Sequence, residues 1–177
     1  MTRQQLEHIL RASAGITGAD RFIIIGSQAI LGQFPHPPGE LAESMEADIF
    51  TERSSQDADL IEGSIGEGSP FHGTFGYHAH GVAAETAILP SGWQNRLVPV
   101  HSGSTGGATG LCLEVHDLAV SKLAAGRDKD LAYVGALLKH RLASTRTIEE
   151  RIAQTPLPSE ARDRCVARLG RLIANGA

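Results

Sequence analysis

A short apolar run, residues 22–25, followed at once by Gly26 and Ser27, constrains the fold of this chain more than any other segment. A continuous apolar run rich in β-branched residues is typical of a strand that is buried on both faces of a sheet. Glycine then permits a tight turn, and serine is favoured at the start of a helix. The segment therefore predicts a central strand that leads directly into a helix capped by Ser27.

Residues 45–50 predict a second strand, on which Glu46 and Asp48 share one face because side chains alternate along a strand. Two neighbouring carboxylates repel each other unless a cation lies between them, and Mg²⁺ prefers hard oxygen ligands. The free N–H groups at a helix N-terminus bind phosphate, and a glycine lets a triphosphate approach closely. We therefore predict that Glu46 and Asp48 bind Mg²⁺ and that Gly26 and Ser27 bind phosphate.

The remaining patterns predict a mixed α/β body followed by an all-helical tail. Further strands are expected at 82–89 and in a hairpin of 96–100 with 110–115, whereas the glycine- and histidine-rich stretch 66–81 gives no ordered prediction. Helices are expected at 4–14, 55–66, 116–125, 128–142, 145–154 and 158–174. We expect one compact domain, with a core over 1–115 and a helical segment over 116–177 packed on it.

Length and charge narrow the classes of protein that remain. A chain of 177 residues with 41% hydrophobic residues buries one core without disulfides or metal staples. A formal charge of -4 argues against an obligate electrostatic grip on a nucleic-acid backbone. The N-terminal residues lack the apolar region of a signal peptide and no segment is long enough to span a bilayer, so we expect a cytoplasmic protein with no membrane partner.

The order of these features resembles the signature of the nucleotidyltransferase superfamily, which has a polymerase-β-like fold. Gly26-Ser27, a helix, and then two acids one residue apart on a strand follow that pattern. More closely, residues 5–142 resemble the small bacterial minimal nucleotidyltransferases related to abortive-infection and toxin–antitoxin systems, through residues 86–97 and 117–130. The resemblance implies a mixed β-sheet flanked by helices, with a C-terminal all-helical segment.

In such relatives a helical segment places a lysine and an acidic residue over the nucleotide, and Lys122 and Asp130 match those positions. On an ideal helix Lys122, Arg127 and Lys129 do not share one face, but Gly126 allows a bend between the first two. We predict that Lys122 and Arg127 contact phosphate, that Asp130 faces the site and that Lys129 faces solvent. On residue chemistry alone, a solvated helix face accounts for these charges equally well.

The sequence departs from the superfamily pattern in two respects. Active members usually carry a third carboxylate on a later strand, which serves as general base or metal ligand. Here Glu85 is the only acid in the predicted strand 82–89, so we assign the base to it. The first acid is Glu46 rather than the more common aspartate, and its extra methylene shifts the position of a bound ion.

The leading hypothesis is a Mg²⁺-dependent enzyme that transfers a nucleoside monophosphate from an NTP to a hydroxyl of RNA, protein or a small molecule. Such an enzyme could itself be a component of a toxin–antitoxin system. Glu46, Asp48 and Glu85 would be its catalytic carboxylates. One alternative is a catalytically silent module of the same fold that binds a cognate toxin or antitoxin. A second is a zinc hydrolase, which requires the histidines at 72, 78 and 80 to converge.

Overall fold

The computed structural model of the chain describes residues 1–176. Its strands are β1 Arg21–Ile25, β2 Glu46–Phe50, β3 His78–Gly81, β4 Val98–Val100 and β5 Thr109–Cys112. Its α-helices are α1 Arg3–Thr17, α2 Gln56–Ile65, α3 Pro70–Phe75, α4 Val115–Ala125, α5 Asp128–Lys139, α6 Thr145–Ala153 and α7 Ser159–Ala174. The predicted α/β class with a mixed sheet flanked by helices is confirmed.

The chain divides into two compact units. The first contains Met1–Thr86 and Leu97–Leu113, and holds the sheet with α1, α2 and α3. The second contains Ala87–Arg96 and the chain from Glu114 onward, and holds α4 to α7. The packing of the helical tail on a 1–115 core stays a prediction. No helix within residues 1–176 has both the length and the apolar character needed to cross a bilayer.

The sheet of the first unit has the order β3-β2-β1-β5-β4. β1 lies at its centre, antiparallel to β2 and parallel to β5, while β3 is parallel to β2 and forms one edge. Residues Phe22 to Ile25 are all buried, as the apolar run predicts. The register places Ile25 opposite Asp48, so the turn that follows β1 lies beside the acidic face of β2.

The segment after β1 forms a 3₁₀ helix over Ser27–Gly32 rather than an α-helix, and the cap predicted at Ser27 is wrong. Gly26 occupies the N-cap position with φ 69° and ψ -170°, a conformation essentially restricted to glycine. Ser27 is therefore the first residue inside the helix. The helix packs so closely against β5 that a Cβ at Gly32 would lie 2.5 Å from the Cβ of Cys112.

The strand predicted over 82–89 is also wrong, because this segment contains only a short 3₁₀ turn at Ala84–Thr86. The ladder between β3 and β2 ends where Ile49 pairs with Gly81, one residue before β2 itself ends. Gly81 lies against α2, where an added Cβ would meet the carbonyl oxygen of Ala58 at 2.0 Å. Without a partner strand and with α2 in its path, the chain turns away from the sheet.

The helices of the second unit, α4 to α7, begin and end close to the predicted bounds.

A buried ion-pair network holds the segment 87–96 to the helices of the second unit. Arg96 donates to both oxygens of Asp117, at 2.8 and 2.9 Å, and Asp117 is fully buried. Arg151 of α6 lies 3.4 Å from the same carboxylate. Burial raises the pKa of Asp117, and the two guanidinium groups oppose that rise. The network explains why this short segment belongs to the helical unit.

Candidate metal and nucleotide site

Two neighbouring parallel strands bring three potential ligands together in the first unit. The register pairs Glu46 with His78 and Asp48 with His80. Because side chains alternate along each strand, the carboxylates of Glu46 and Asp48 and the imidazole of His80 project from the same face of the sheet. Ligand atoms of Glu46, Asp48 and His80 all lie within 4.8 Å of one another, which makes the three residues a group able to hold a metal ion.

The distances within this group suit a shared cation. Nδ1 of His80 lies 3.0 Å from Oδ1 of Asp48 and 3.5 Å from Oε1 of Glu46. Neighbouring ligands around an ion with bonds of about 2.1 Å are separated by about 3 Å, so the spacing fits. Asp48 is the least exposed of the three side chains at 24%, whereas Glu46 and His80 are nearly half exposed. A solvated ion can therefore reach the group while keeping several waters.

Gly26 lies directly against this group. A Cβ built on Gly26 would lie 1.8 Å from Oδ2 of Asp48, so no other residue fits here without displacing the carboxylate. The positive φ of Gly26 imposes the same restriction independently. Gly26 of the predicted Gly-Ser turn thus makes room for the carboxylate of Asp48, which lies more than twenty residues later in the sequence.

Burial and the neighbouring charges shift the pKa values of Asp48 and His80. Burial raises the pKa of Asp48 and Glu46 adds to the rise, whereas the hydrogen bond with His80 opposes it. Burial lowers the pKa of His80, but the nearby carboxylates, Asp48 above all, outweigh burial and raise it. Two acids and one imidazole leave the group negative even when His80 is protonated, and this surplus charge favours a cation.

His78 lies beside the group without joining it. Its imidazole is buried, and Nε2 is 3.6 Å from Oε2 of Glu46, which is too long for a hydrogen bond. The ring of His72 packs on it with 4.5 Å between centroids. Among residues 1–176, Nδ1 of His78 has no hydrogen-bond partner. His72, His78 and His80 therefore do not form the common ligand set that a zinc hydrolase requires.

In the second unit, Lys122 and Arg127 both contact Asp130. Nζ of Lys122 is 3.3 Å from Oδ1 of Asp130, and Nε of Arg127 is 2.6 Å from Oδ2. Gly126 ends α4 with φ 66° and makes the bend that brings the two cations to one carboxylate. Lys129 is exposed, as predicted.

The environments of the two cations differ. The side chain of Lys122 is 9% exposed and its ammonium group lies 4.3 Å from the centre of the Tyr133 ring, whereas the side chain of Arg127 is 64% exposed. Asp130 is almost fully buried. Burial raises the pKa of Asp130, but its bonds to Arg127 and Lys122 outweigh burial and lower it.

Comparison with known protein families identifies the chain. The model of a family described as a nucleotidyltransferase of unknown function (DUF6036) matches residues 4–166. The chain belongs to this family. The predicted superfamily is thereby confirmed, and membership supports nucleotidyl transfer as the general activity. Comparisons with curated proteins and with solved structures gave no match.

The structure places most of the predicted site residues in two groups, one in each unit. Glu46, Asp48 and Gly26 lie together in the first unit, and Lys122, Arg127 and Asp130 lie together in the second. Glu85 is exposed on the turn after β3 and is not a member of the metal-holding group of residues 1–176. The catalytic role predicted for it depended on a strand that does not form.

The sequence analysis named His80 only as a ligand of the zinc alternative, whereas the structure places it beside Asp48. The available signal was the spacing of His78 and His80, two residues apart, because that spacing puts two imidazoles on one face of any strand. The stretch around them is short and rich in glycine, so its strand was not recognised. His80 is the third member of the group that contains Glu46 and Asp48.

Proposed function

We propose that this protein is a divalent-metal-dependent nucleotidyltransferase that transfers the monophosphate of an NTP to a hydroxyl of RNA, protein or a small molecule. The observation that carries the proposal is the convergence of Glu46, Asp48 and His80 beside Gly26, in a chain of a nucleotidyltransferase family. In this reaction the acceptor oxygen bonds to the α-phosphorus, the bond from that phosphorus to the β-phosphate oxygen breaks, and pyrophosphate leaves.

Each candidate site residue of the first unit has a defined role in the proposal. Glu46 and Asp48 hold the divalent ion through oxygen ligands, which Mg²⁺ and Mn²⁺ both accept. When bound, a divalent ion neutralises triphosphate charge and stabilises the leaving group. Gly26 leaves room for the Asp48 carboxylate beside the turn, and the proposal assigns phosphate binding to the backbone of Gly26 and Ser27 at this turn. The proposal assigns no base to Glu85, because the turn that carries it lies outside the sheet.

We extend the proposal to Lys122 and Arg127 as contacts to phosphate charge, with Asp130 orienting both side chains. Nζ of Lys122 and Nε of Arg127 both lie within ion-pair distance of the Asp130 carboxylate, which holds the two cations near one another. Arg127 has the more exposed side chain and is the better placed of the two to bind a soluble anion. Its planar guanidinium group suits bidentate binding of phosphate.

The biological setting is part of the same proposal. The resemblance of residues 5–142 to minimal nucleotidyltransferases supports a component of a toxin–antitoxin or abortive-infection system, with a cognate toxin or antitoxin as partner. The acceptor is then RNA or protein. Because the donor is an NTP, we place the reaction in the cytoplasm.

A second candidate is a catalytically silent member of the fold that binds nucleotide or a partner protein. It is favoured by one observation, namely that the third member of the metal-holding group is a histidine in place of a carboxylate. A silent member retains ligand binding but transfers nothing, so turnover separates the two candidates.

The test is transfer of label from each of the four α-³²P-labelled NTPs to RNA, to protein and to the enzyme itself, with Mg²⁺ or Mn²⁺ present. We expect label transfer by the wild type and its loss in Asp48→Asn. The matched control is Asp59→Asn, which removes an exposed carboxylate of α2 and should transfer as the wild type does. Nucleotide binding without any transfer would support the silent module and refute the enzyme.

A further inference from the structure

We propose that His80 is a direct ligand of the metal ion and that it makes the site bind first-row transition ions in preference to Mg²⁺. The inference rests on the site of the proposed function but concerns the choice of metal, which membership of the family leaves open. It follows from the position of one imidazole nitrogen relative to two carboxylates.

The geometry assigns the nitrogen. Nδ1 of His80 faces both acids, at 3.0 Å from Asp48 and 3.5 Å from Glu46, and the two distances match those between adjacent ligands of one ion. Parallel pairing of β3 with β2 fixes this arrangement, because Asp48 and His80 lie opposite each other in the register. An ion held by the two acids therefore has Nδ1 as its next available donor.

Coordination requires Nδ1 without a proton. In the metal-free protein the hydrogen bond between His80 and Asp48 places a proton between these two groups. A bound cation takes the place of that proton, and the ring then carries its hydrogen on Nε2. The side chain of His80 is 47% exposed, so solvent reaches this ring directly.

The donor set determines which ion is preferred. Mg²⁺ binds through oxygen and retains its waters, so it gains little from a nitrogen ligand. First-row transition ions accept imidazole readily, with an affinity that rises from Mn²⁺ onward along the series. A set of two carboxylates and one imidazole therefore prefers transition ions to Mg²⁺ more strongly than a set of three carboxylates does.

Mn²⁺ is the most demanding probe, because it is the weakest binder of the transition series. The primary measurement is pulsed electron paramagnetic resonance of Mn²⁺ bound to the wild-type protein, in which a directly coordinated imidazole gives a ¹⁴N coupling. The second measurement is the ratio of the dissociation constants for Mg²⁺ and Mn²⁺, obtained by titration calorimetry without nucleotide.

We expect ¹⁴N coupling in the wild type and its loss in His80→Asp, with a fall of about tenfold in the preference for Mn²⁺ over Mg²⁺. His36→Asp is the matched control, because it makes the same change at an exposed loop histidine outside the group, and it should retain the coupling and the ratio. Circular dichroism checks the fold of both variants. If His80→Asp does not fold, the wild-type spectrum alone decides.

A wild-type spectrum without nitrogen coupling, or an unchanged ratio in His80→Asp, would overturn the inference. These results are independent of the transfer assay. A protein that shows nitrogen coupling but transfers no nucleotide refutes the proposed function and leaves the ligand assignment standing. A protein that transfers nucleotide but shows no coupling refutes the ligand assignment alone.

Discussion

Asp48 and Asp130 are both carboxylates with charged partners, but their surroundings differ in charge balance and in exposure. Asp48 shares its site with a second acid and one imidazole, and all three side chains are at least partly exposed. Asp130 is almost fully buried and contacts two cations, Lys122 and Arg127. The pKa of Asp48 is raised by burial, whereas that of Asp130 is lowered because its cations outweigh burial.

The difference separates a group with surplus negative charge from a buried carboxylate that is already paired with cations. A group with surplus negative charge is destabilised until a cation arrives, so the folded protein gives up stability in order to bind. A buried carboxylate with cationic partners stabilises the fold only while those partners are intact. We therefore expect substitutions at Asp130 to act mainly on stability and substitutions around Asp48 to act mainly on binding.

The largest effect expected is that of Asp130→Asn. Removal of the buried negative charge breaks the ion pair between Asp130 and Lys122, which should lower the free energy of unfolding by about 3 kcal/mol. Denaturant titration measures it, with Asp128→Asn as control because Asp128 is exposed in the first turn of the same helix. Equal stability losses in the two variants would show that the cluster is not the stabilising element described here.

Gly26→Ala is expected to have the next largest effect. The positive φ of Gly26 costs an alanine about 1–3 kcal/mol, and the added Cβ overlaps the carboxylate of Asp48. The variant should fold with reduced stability and lose metal binding. Gly15→Ala is the control, since a Cβ there meets no atom within 4 Å and helix propensity favours the change. Full metal affinity in Gly26→Ala would contradict the close contact with Asp48.

Arg127→Ala should affect stability much less than Asp130→Asn does. Its side chain is 64% exposed, and exposed ion pairs contribute about 0.2–1 kcal/mol. If Arg127 also contacts phosphate, triphosphate titrated at fixed salt should bind more weakly to the variant. Lys122→Ala extends the test to the buried cation. Triphosphate binding equal to that of the wild type in both variants would show that the cluster is only a packing element.

The smallest effect expected concerns the dependence of stability on pH. Because the pKa of His80 is raised in the folded protein, its charge stabilises the fold fully below the unfolded value of about 6.5. This stabilisation is lost as the pH rises through the folded pKa. In EDTA, the stability advantage of the wild type over His80→Gln should therefore shrink across that window.

Asp48→Asn should reduce the same pH-dependent difference, because Asp48 is the main group that raises the pKa of His80. The measurement is the free energy of unfolding, as a function of pH in EDTA, of Asp48→Asn and of a double variant that also carries His80→Gln. A difference that is unchanged by Asp48→Asn would mean that His80 does not respond to the acidic group.

The site residues of the first unit that were predicted from sequence lie on segments whose own residues specify their structure. The apolar run before Gly26 and the alternation around Glu46 and Asp48 each specify a strand and a face by local chemistry alone. In the second unit, Lys122 and Asp130 were predicted from the resemblance to minimal nucleotidyltransferases, and Arg127 was added because Gly126 allows a bend between it and Lys122.

The parts that were missed depend on pairing between distant segments. His80 joins the site only because β3 pairs with β2 in one register, and a four-residue strand rich in histidine and glycine does not reveal its partner. Glu85 was assigned to a strand because the residues around it are apolar or β-branched. The end of β2 and the close approach of Gly81 to α2, neither visible in the local sequence, terminate that strand first.

The most direct test of the account is the effect of Mg²⁺ with an NTP on the melting temperature of the wild type and of Asp48→Asn. A ligand at one hundred times its dissociation constant stabilises the native state by about 2.7 kcal/mol, so the wild type should melt several degrees higher. Asp48→Asn should melt no lower than the wild type without ligand, because the change relieves carboxylate repulsion, and should show no shift with it. An equal shift in both proteins would place the nucleotide elsewhere and contradict the site.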